Sequence, residues 1–152
     1  FFGWVSYTLM RSERYDEDTG AYRLFDFDQT HILTILGQYK FNANWELGAR
    51  YRFVTGIPQT PIVGSIYNSR DNVYEPILGP QNSTRLPSFQ QLDLRVDRIW
   101  RFNTWTMNGY LEIQNVYNYE NVEGYRYDYD FQNKRSVTGL PIIPSLGIRG
   151  TF

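Results

Sequence analysis

The stretch that decides the fold is Trp45-Glu46-Leu47-Gly48-Ala49-Arg50-Tyr51-Arg52-Phe53. Its apolar and aromatic residues occupy the odd positions, while its charged residues and its glycine occupy the even ones. Successive side chains of a β-strand point to opposite faces of a sheet, so this alternation predicts a strand with one apolar and one polar face.

The same period of two recurs on both sides of this stretch, and no convincing helical window is present. We predict six strands, at about 1–11, 30–41, 45–55, 89–101, 105–117 and 142–152. Each is close to the roughly 9–11 residues with which a tilted strand crosses a bilayer. The predicted fold class is all-β, as an antiparallel transmembrane β-barrel segment of about six sequential strands.

The connections between these strands alternate in length. Two are short turns, Asn42–Asn44 and a turn around Phe102–Thr104, and three are long and polar, at about 12–29, 56–88 and 118–141. Outer-membrane barrels have short turns on their periplasmic rim and longer loops on their extracellular rim. This alternation favours a membrane barrel over a soluble sandwich.

The aromatic residues follow the same division. Tyr, Phe and Trp make up 18% of the chain, more than a soluble core of this size normally needs. Many rings fall at the short-turn end, where an interfacial aromatic girdle is expected: Tyr39, Phe41, Trp45, Trp100, Phe102, Trp105 and Phe152. Trp4 lies at the same height with inward parity, and Arg98 has outward parity, so that its guanidinium can reach the headgroups.

Composition excludes several classes of protein. The mean hydropathy of −0.50 and the lack of an apolar run of about 18 residues exclude a transmembrane helix. The chain has no Cys, which excludes disulfides and thiolate metal sites. A net charge of −1 gives no reason to expect a nucleic acid as partner.

The chain is not expected to be an enzyme, to bind a metal or to need a cofactor. Its single histidine, His31, falls at the outer rim of a strand, and no catalytic constellation surrounds it. Asp26 and Asp28 are spaced to share one strand face, but at a loop mouth we expect them to be solvated. The acidic run 16–18, followed by Gly20, could bind calcium, yet its spacing does not match the twelve-residue calcium loop, and a solvated loop is favoured.

A set of charged residues shares the inward parity of four consecutive strands: Arg50, Arg52, Asp93, Arg95, Asp97, Glu112 and Arg149. Opposite charges could therefore lie across from each other in the lumen. We interpret them mainly as a structural wall that can hold a plug, with substrate recognition as the alternative. If the register allows it, Glu112 would lie between Arg95 and Arg149.

One loop carries alternating tyrosines and charges: Tyr125, Arg126, Tyr127, Asp128 and Tyr129. Tyrosine offers a large contact area at low entropic cost, so this run is a candidate ligand-contacting loop. The favoured alternative is a hairpin that extends the barrel above the membrane.

Four segments together resemble the end of TonB-dependent outer-membrane receptors. They are Gly48–Pro61, Arg85–Val96, Leu111–Asn118 and Leu146–Phe152, and they come in that family's order. The resemblance implies a barrel of about twenty-two strands around a plug domain. Residues 1–152 would be the C-terminal part of the barrel domain, with the plug and the N-terminal strands outside this stretch.

The resemblance also implies a location and partners. The location is the bacterial outer membrane, and the partners are its lipid, the rest of the barrel with its plug, and TonB acting through that plug. An alternating last strand with Leu146, Ile148 and the terminal Phe152 resembles the signal that the outer-membrane assembly machinery pairs with. The predicted function is uptake or export of a scarce ligand, and the alternatives are a passive porin or a soluble aromatic-rich β-sandwich.

Overall fold

The computed structural model describes residues 1–152 and contains strands only. In chain order they are β1 (Phe2–Leu9), β2 (Glu13–Asp16), β3 (Ala21–Leu24), β4 (His31–Lys40), β5 (Trp45–Val54), β6 (Pro58–Gln59), β7 (Ile62–Asn68), β8 (Val73–Leu78), β9 (Thr84–Arg85), β10 (Phe89–Arg101), β11 (Thr106–Gln114), β12 (Val122–Tyr127), β13 (Lys134–Thr138) and β14 (Ile143–Thr151). No helix is long and apolar enough to cross a membrane.

Six long strands form one sheet in the order β1-β4-β5-β10-β11-β14. Every neighbouring pair is antiparallel, and each long strand is paired with the next long strand along the chain. The prediction of an all-β, antiparallel architecture is confirmed, and all six predicted strands are present. The sheet does not close, because β1 and β14 each pair on one side only.

The pairing register separates the sheet into two chemically different faces. On the face that we call the outer face, Leu47 lies opposite Val96, Ala49 opposite Leu94, and Leu111 opposite Leu146. The opposite, inner face carries Arg50 opposite Asp93 and Arg95 opposite Glu112. The alternation of apolar and charged faces that the sequence predicts is therefore found in the four strands that carry these charges, β5, β10, β11 and β14.

No layer of this chain covers the outer face. Val54 and Leu86 are the only buried hydrophobic residues, whereas Leu146 and Ile148 on the outer face are 77% and 72% exposed. The short strands pair among themselves and do not pack across the long sheet. Unlike a sandwich, these 152 residues do not form a core between two layers.

The two short turns lie on the rim that also carries Phe152, as predicted. In the first turn, the Asn42 side chain accepts hydrogen bonds from the backbone N–H groups of Asn44 at 2.8 Å and Trp45 at 3.0 Å. In the second, the Phe102 N–H donates to the Trp105 carbonyl at 2.9 Å. Asn side chains favour such turns because they replace a backbone acceptor.

Aromatic rings pack together along this short-turn rim. The rings of Phe102 and Trp105 stack with centroids 4.5 Å apart, and the Phe152 ring also stacks with Trp105, at 5.6 Å. The Arg98 guanidinium lies 5.0 Å from the Trp45 ring and 4.9 Å from the Trp100 ring. Arg98 is thus held among the rings on the outer face.

The opposite rim, which we call the long-loop rim, contains four two-stranded ladders: β2–β3, β6–β9, β7–β8 and β12–β13. The sequence pattern predicts long polar loops in these regions, with a hairpin only around residues 125–131. The run Ile62–Tyr67 is rich in β-branched and aromatic residues and lies between Pro61 and Asn68, and this is the signal that could have revealed the β7–β8 hairpin.

Candidate functional site on the inner face and the long-loop rim

Asp93 is the centre of a hydrogen-bonded cluster on the inner face. It is 6% exposed, and its Oδ2 accepts from Nε and Nη2 of Arg50 at 3.0 and 2.6 Å. Its Oδ1 accepts from the Gln91 side chain at 2.7 Å and the Asn115 N–H at 3.0 Å. These four hydrogen bonds offset the free-energy cost of burying the carboxylate.

Arg95 is the centre of a second cluster one step closer to the short-turn rim. Its guanidinium donates to both carboxylate oxygens of Asp97, at 2.8 and 2.9 Å, and to Glu112 at 3.4 Å. The same group lies 3.8 Å from the centroid of the Tyr110 ring. The Tyr110 ring covers Gly147 on the next strand so closely that a Cβ there would overlap it.

The structure does not bring all predicted inward charges together. Arg149 lies opposite Asn108, and Glu112 lies opposite Ser145, so the register excludes a pair between Glu112 and Arg149. The hypothetical triad of two arginines around Glu112 was therefore wrong: the observed triad is Arg95 between two carboxylates. Arg52 contacts neither cluster and lies 5.6 Å from the Phe89 ring.

The space between the two clusters is open. Gly48 lies opposite Arg95 on the inner face and contributes no side chain there. The result is a groove of about 240 Å³ with Arg50, Arg95 and Glu112 in its wall. Such a groove can accept a polar group from an element packed on the inner face.

A buried carboxylate ties two loops together at the long-loop rim. Asp28 is fully buried and accepts from the Ser12 N–H at 2.6 Å, from Thr30 and from the Arg85 guanidinium. The expectation that Asp28 is solvated was wrong, because Arg85 arrives from a loop distant in sequence. Burial acts to raise the pKa of Asp28, but the hydrogen bonds and charge of Arg85 and the Ser12 N–H outweigh it and lower the pKa.

Asn82 makes a second link between the same loops. It is 8% exposed, and its side-chain amide donates to the Leu24 carbonyl at 2.8 Å and to Asp26 at 2.6 Å. Nearby, Gly56 packs against the Leu86 backbone, and a Cβ at that position would overlap the Leu86 carbonyl oxygen. Only glycine fits this close approach of two chain segments.

Two further asparagines anchor the last long loop to β10. The Asn121 side chain accepts from the Gln90 N–H at 2.8 Å and donates to the Gln90 carbonyl at 2.9 Å, which replaces a strand neighbour. Asn115 ends β11 in the left-handed region with φ of 52° and donates to the Tyr119 and Leu140 carbonyls. Asn tolerates this conformation better than most residues.

The β12–β13 hairpin places the residues of the candidate ligand-contacting run 125–129 on different faces. Tyr125 pairs with Ser136 and Tyr127 with Lys134 on one face of the hairpin, while Arg126 pairs with Arg135 on the other. Asp128 accepts hydrogen bonds from the Asn133 side chain and N–H, and these bonds lower its pKa. The Tyr129 ring packs edge-on against Tyr74 of the β7–β8 hairpin at 5.7 Å.

Tyr125 and Tyr127 border a cavity of about 320 Å³ between this hairpin and the β6–β9 ladder. Lys134 and Arg85 also line it. Arg126 and Asp128 do not, so within the run only the two tyrosines reach this space. The sequence does not reveal Lys134 and Arg85 as site residues, because their positions depend on loop packing that no local pattern encodes.

Other predicted positions are found as follows. His31 lies on the outer face, with its Nδ1 2.8 Å from the Tyr7 hydroxyl. Asp16 accepts from the N–H groups of Asp18 and Thr19 and so closes the β2–β3 turn. No group of three or more His, Cys, Asp or Glu side chains is arranged to hold a metal ion. Phe152 is 97% exposed, beside the free edge of β14.

Comparisons of the chain with protein-family models, with curated proteins and with solved structures find no match.

Proposed function

We propose that this chain is a wall segment of an outer-membrane β-barrel, and that the barrel belongs to a TonB-dependent transporter that takes up or exports a scarce ligand. The observation that carries the proposal is an apolar sheet face that no part of the chain covers. Lipid is the environment that would make such a face stable.

The size of the exposed surface also supports the proposal, because it is larger than that of a soluble protein of the same mass. A folded soluble protein of 18.0 kDa exposes about 8,000 Å². This chain exposes 11036 Å². The excess of about 3,000 Å² is what a single uncovered layer leaves unburied.

The open edges of the sheet imply further strands beside it. β1 and β14 present unpaired backbone groups, which cannot be left in hydrocarbon. Six strands are fewer than the 8 or so of the smallest bacterial barrels. In the proposal, strands from outside these residues complete the barrel.

The choice of an active transporter over a passive porin depends on the resemblance of four segments to TonB-dependent receptors: Gly48–Pro61, Arg85–Val96, Leu111–Asn118 and Leu146–Phe152. The inner face is compatible with it, since the Arg50–Asp93 and Arg95 clusters and the groove at Gly48 offer polar contacts to a plug. TonB would act through that plug, and the assembly machinery would pair with β14 through its free edge.

Single-cysteine labelling tests the membrane topology. Because this stretch contains no Cys, none of its native residues reacts with the label. In otherwise cysteine-free full-length protein, Ser69→Cys, at the β7–β8 tip, should react with a membrane-impermeant maleimide on intact cells. Asn103→Cys, in a short turn, should react only after the outer membrane is permeabilised. Equal labelling of both on intact cells contradicts the proposed orientation.

Liposome swelling separates transporter from porin without knowledge of the ligand. A barrel closed by a plug should admit small sugars no faster than protein-free liposomes do. Swelling at the rate of an open porin would show that the barrel is passive, and the transporter proposal would be abandoned while the barrel proposal stood.

A soluble sandwich is the remaining alternative, in which a second sheet from outside these residues covers the outer face. It predicts that the full-length protein is recovered without detergent and that neither cysteine is protected by a membrane.

A further inference from the structure

The cavity between the β6–β9 ladder and the β12–β13 hairpin has polar groups that the chain does not use. Its volume of about 320 Å³ lies within the range of roughly 300–1,000 Å³ that small-molecule sites occupy. Four residues with polar side chains line it, and none of these side chains forms a hydrogen bond within the chain: Gln59, Tyr125, Tyr127 and Gln132. Their polar groups are therefore free to bind a ligand.

The charge of this cavity is positive and unbalanced. Arg85 and Lys134 are the only charged residues in its wall, and no carboxylate lines it. Arg85 is committed to Asp28 and to the Gly56 carbonyl. The Lys134 ammonium lies 4.4 Å from the Tyr125 ring centroid and forms no ion pair, so its charge is available.

A smaller part of the wall is apolar. The rings of Tyr125, Tyr127 and Phe131 and the side chains of Pro61 and Ile62 supply it. Phe131 has a φ of 60°, a left-handed conformation that is unusual for a bulky residue and that places it beside the cavity. Such backbone outliers persist where the surrounding structure holds them, often at ligand sites.

We infer that this cavity binds an organic anion that carries a ring or another flat apolar surface. The anionic group lies against the Lys134 ammonium, and the flat part lies among Tyr125, Tyr127 and Phe131. The free hydroxyls and amides fix its orientation. A role for the site in ligand capture rests on the proposed function, whereas binding itself does not.

The hairpin provides a matched control. Arg135 is next to Lys134 in sequence but lies on the opposite face, where it pairs with Arg126. Lys134→Gln and Arg135→Gln each remove one positive charge from the same strand. Only the first removes it from the cavity.

The experiment is a titration of the full-length protein in detergent with 4-hydroxybenzoate and its neutral analogue 4-hydroxybenzamide, followed by saturation-transfer NMR. The wild-type protein should bind the benzoate more tightly. Lys134→Gln should weaken benzoate binding about tenfold, the effect of one charge-assisted hydrogen bond, and leave the benzamide unchanged. Arg135→Gln should leave both unchanged.

Several results overturn the inference: no benzoate binding by the wild-type protein, equal affinity for the two probes, or equal losses in the two variants, which would indicate general electrostatic attraction. Each variant is first checked for wild-type heat-modifiability on a gel, so that misfolding is recognised. Lys134-dependent binding together with unprotected cysteines would leave the cavity standing and remove the proposed membrane function. Cysteines protected by the membrane, without benzoate binding, would remove the inferred cavity site and leave the proposed membrane function standing.

Discussion

The outer and inner faces of the long sheet are built from the same six strands but are stabilised in different ways. The inner face satisfies its charges within the chain, as Asp93 with its four donors and Arg95 with its two carboxylates show. The outer face, with Leu94, Leu111 and Ile148, has no partner in the chain at all. The difference teaches that the apolar side chains of the outer face, unlike the charges of the inner face, can be buried only against something outside these residues.

The largest effect is expected from a charge on the outer face. Leu94 is in the middle of β10, between Ala49 and Ile113. Leu94→Arg should cost about 2–4 kcal/mol in lipid, the range for arginine at the bilayer midplane. The check is the urea unfolding midpoint of the full-length protein in phospholipid vesicles. Gln38→Arg, on the inner face of β4, is the control and should change stability by less than about 0.5 kcal/mol.

The next largest effect is expected at Asp93. Asp93→Ala leaves Arg50 without its carboxylate and the Asn115 N–H without an acceptor, which should cost about 2–3 kcal/mol in the same measurement. Asp93→Asn keeps an acceptor for Asn115 but removes the charge, so its cost should be smaller. If both variants unfold at the wild-type midpoint, the inner network contributes nothing to stability.

A smaller effect is expected at Glu112, on the same face. Arg95 keeps its two shorter hydrogen bonds to Asp97 when Glu112 is removed. Glu112→Ala should therefore cost no more than about 1 kcal/mol. The control is Glu123→Ala, at an exposed position of β12, which should be neutral. A loss as large as that of Asp93→Ala would show that Glu112 has a partner outside this chain, such as a plug.

The sequence predicted the strands well because period-two patterning is local. The end of β11 was placed too late, since Asn115 leaves the strand through a positive φ that the pattern does not reveal. Register was not predictable either, and the partner of Glu112 depends on it. The links through Asp28, Asn82 and Asn121 join segments that are distant in sequence, so nothing in their neighbouring sequence indicates burial.

The smallest effect is local and concerns pH at the long-loop rim. The lowered pKa of Asp28 means that its contacts with Arg85 and Ser12 stabilise fully above the ordinary carboxyl pKa and are lost as the pH falls through the lowered value. Arg11 is a further charge that faces it. Pepsin cleavage within residues 12–30, divided at each pH by its cleavage of an unfolded substrate, should rise as the pH falls below the ordinary carboxyl pKa. In Asp28→Asn, cleavage should already be fast at the higher pH; identical profiles would exclude this linkage.

The most direct test of the central claim is a spin-label scan along β10 in the full-length protein reconstituted into lipid. Single cysteines at positions 92 to 96 are labelled with a nitroxide, and collision with oxygen is compared with collision with a water-soluble nickel complex. The account predicts a period of two, with labels at Leu92, Leu94 and Val96 reached by oxygen and protected from nickel, and the reverse at Asp93 and Arg95. Labels at Leu92, Leu94 and Val96 that are reached by nickel, or shielded from both reagents under a second protein layer, would contradict it.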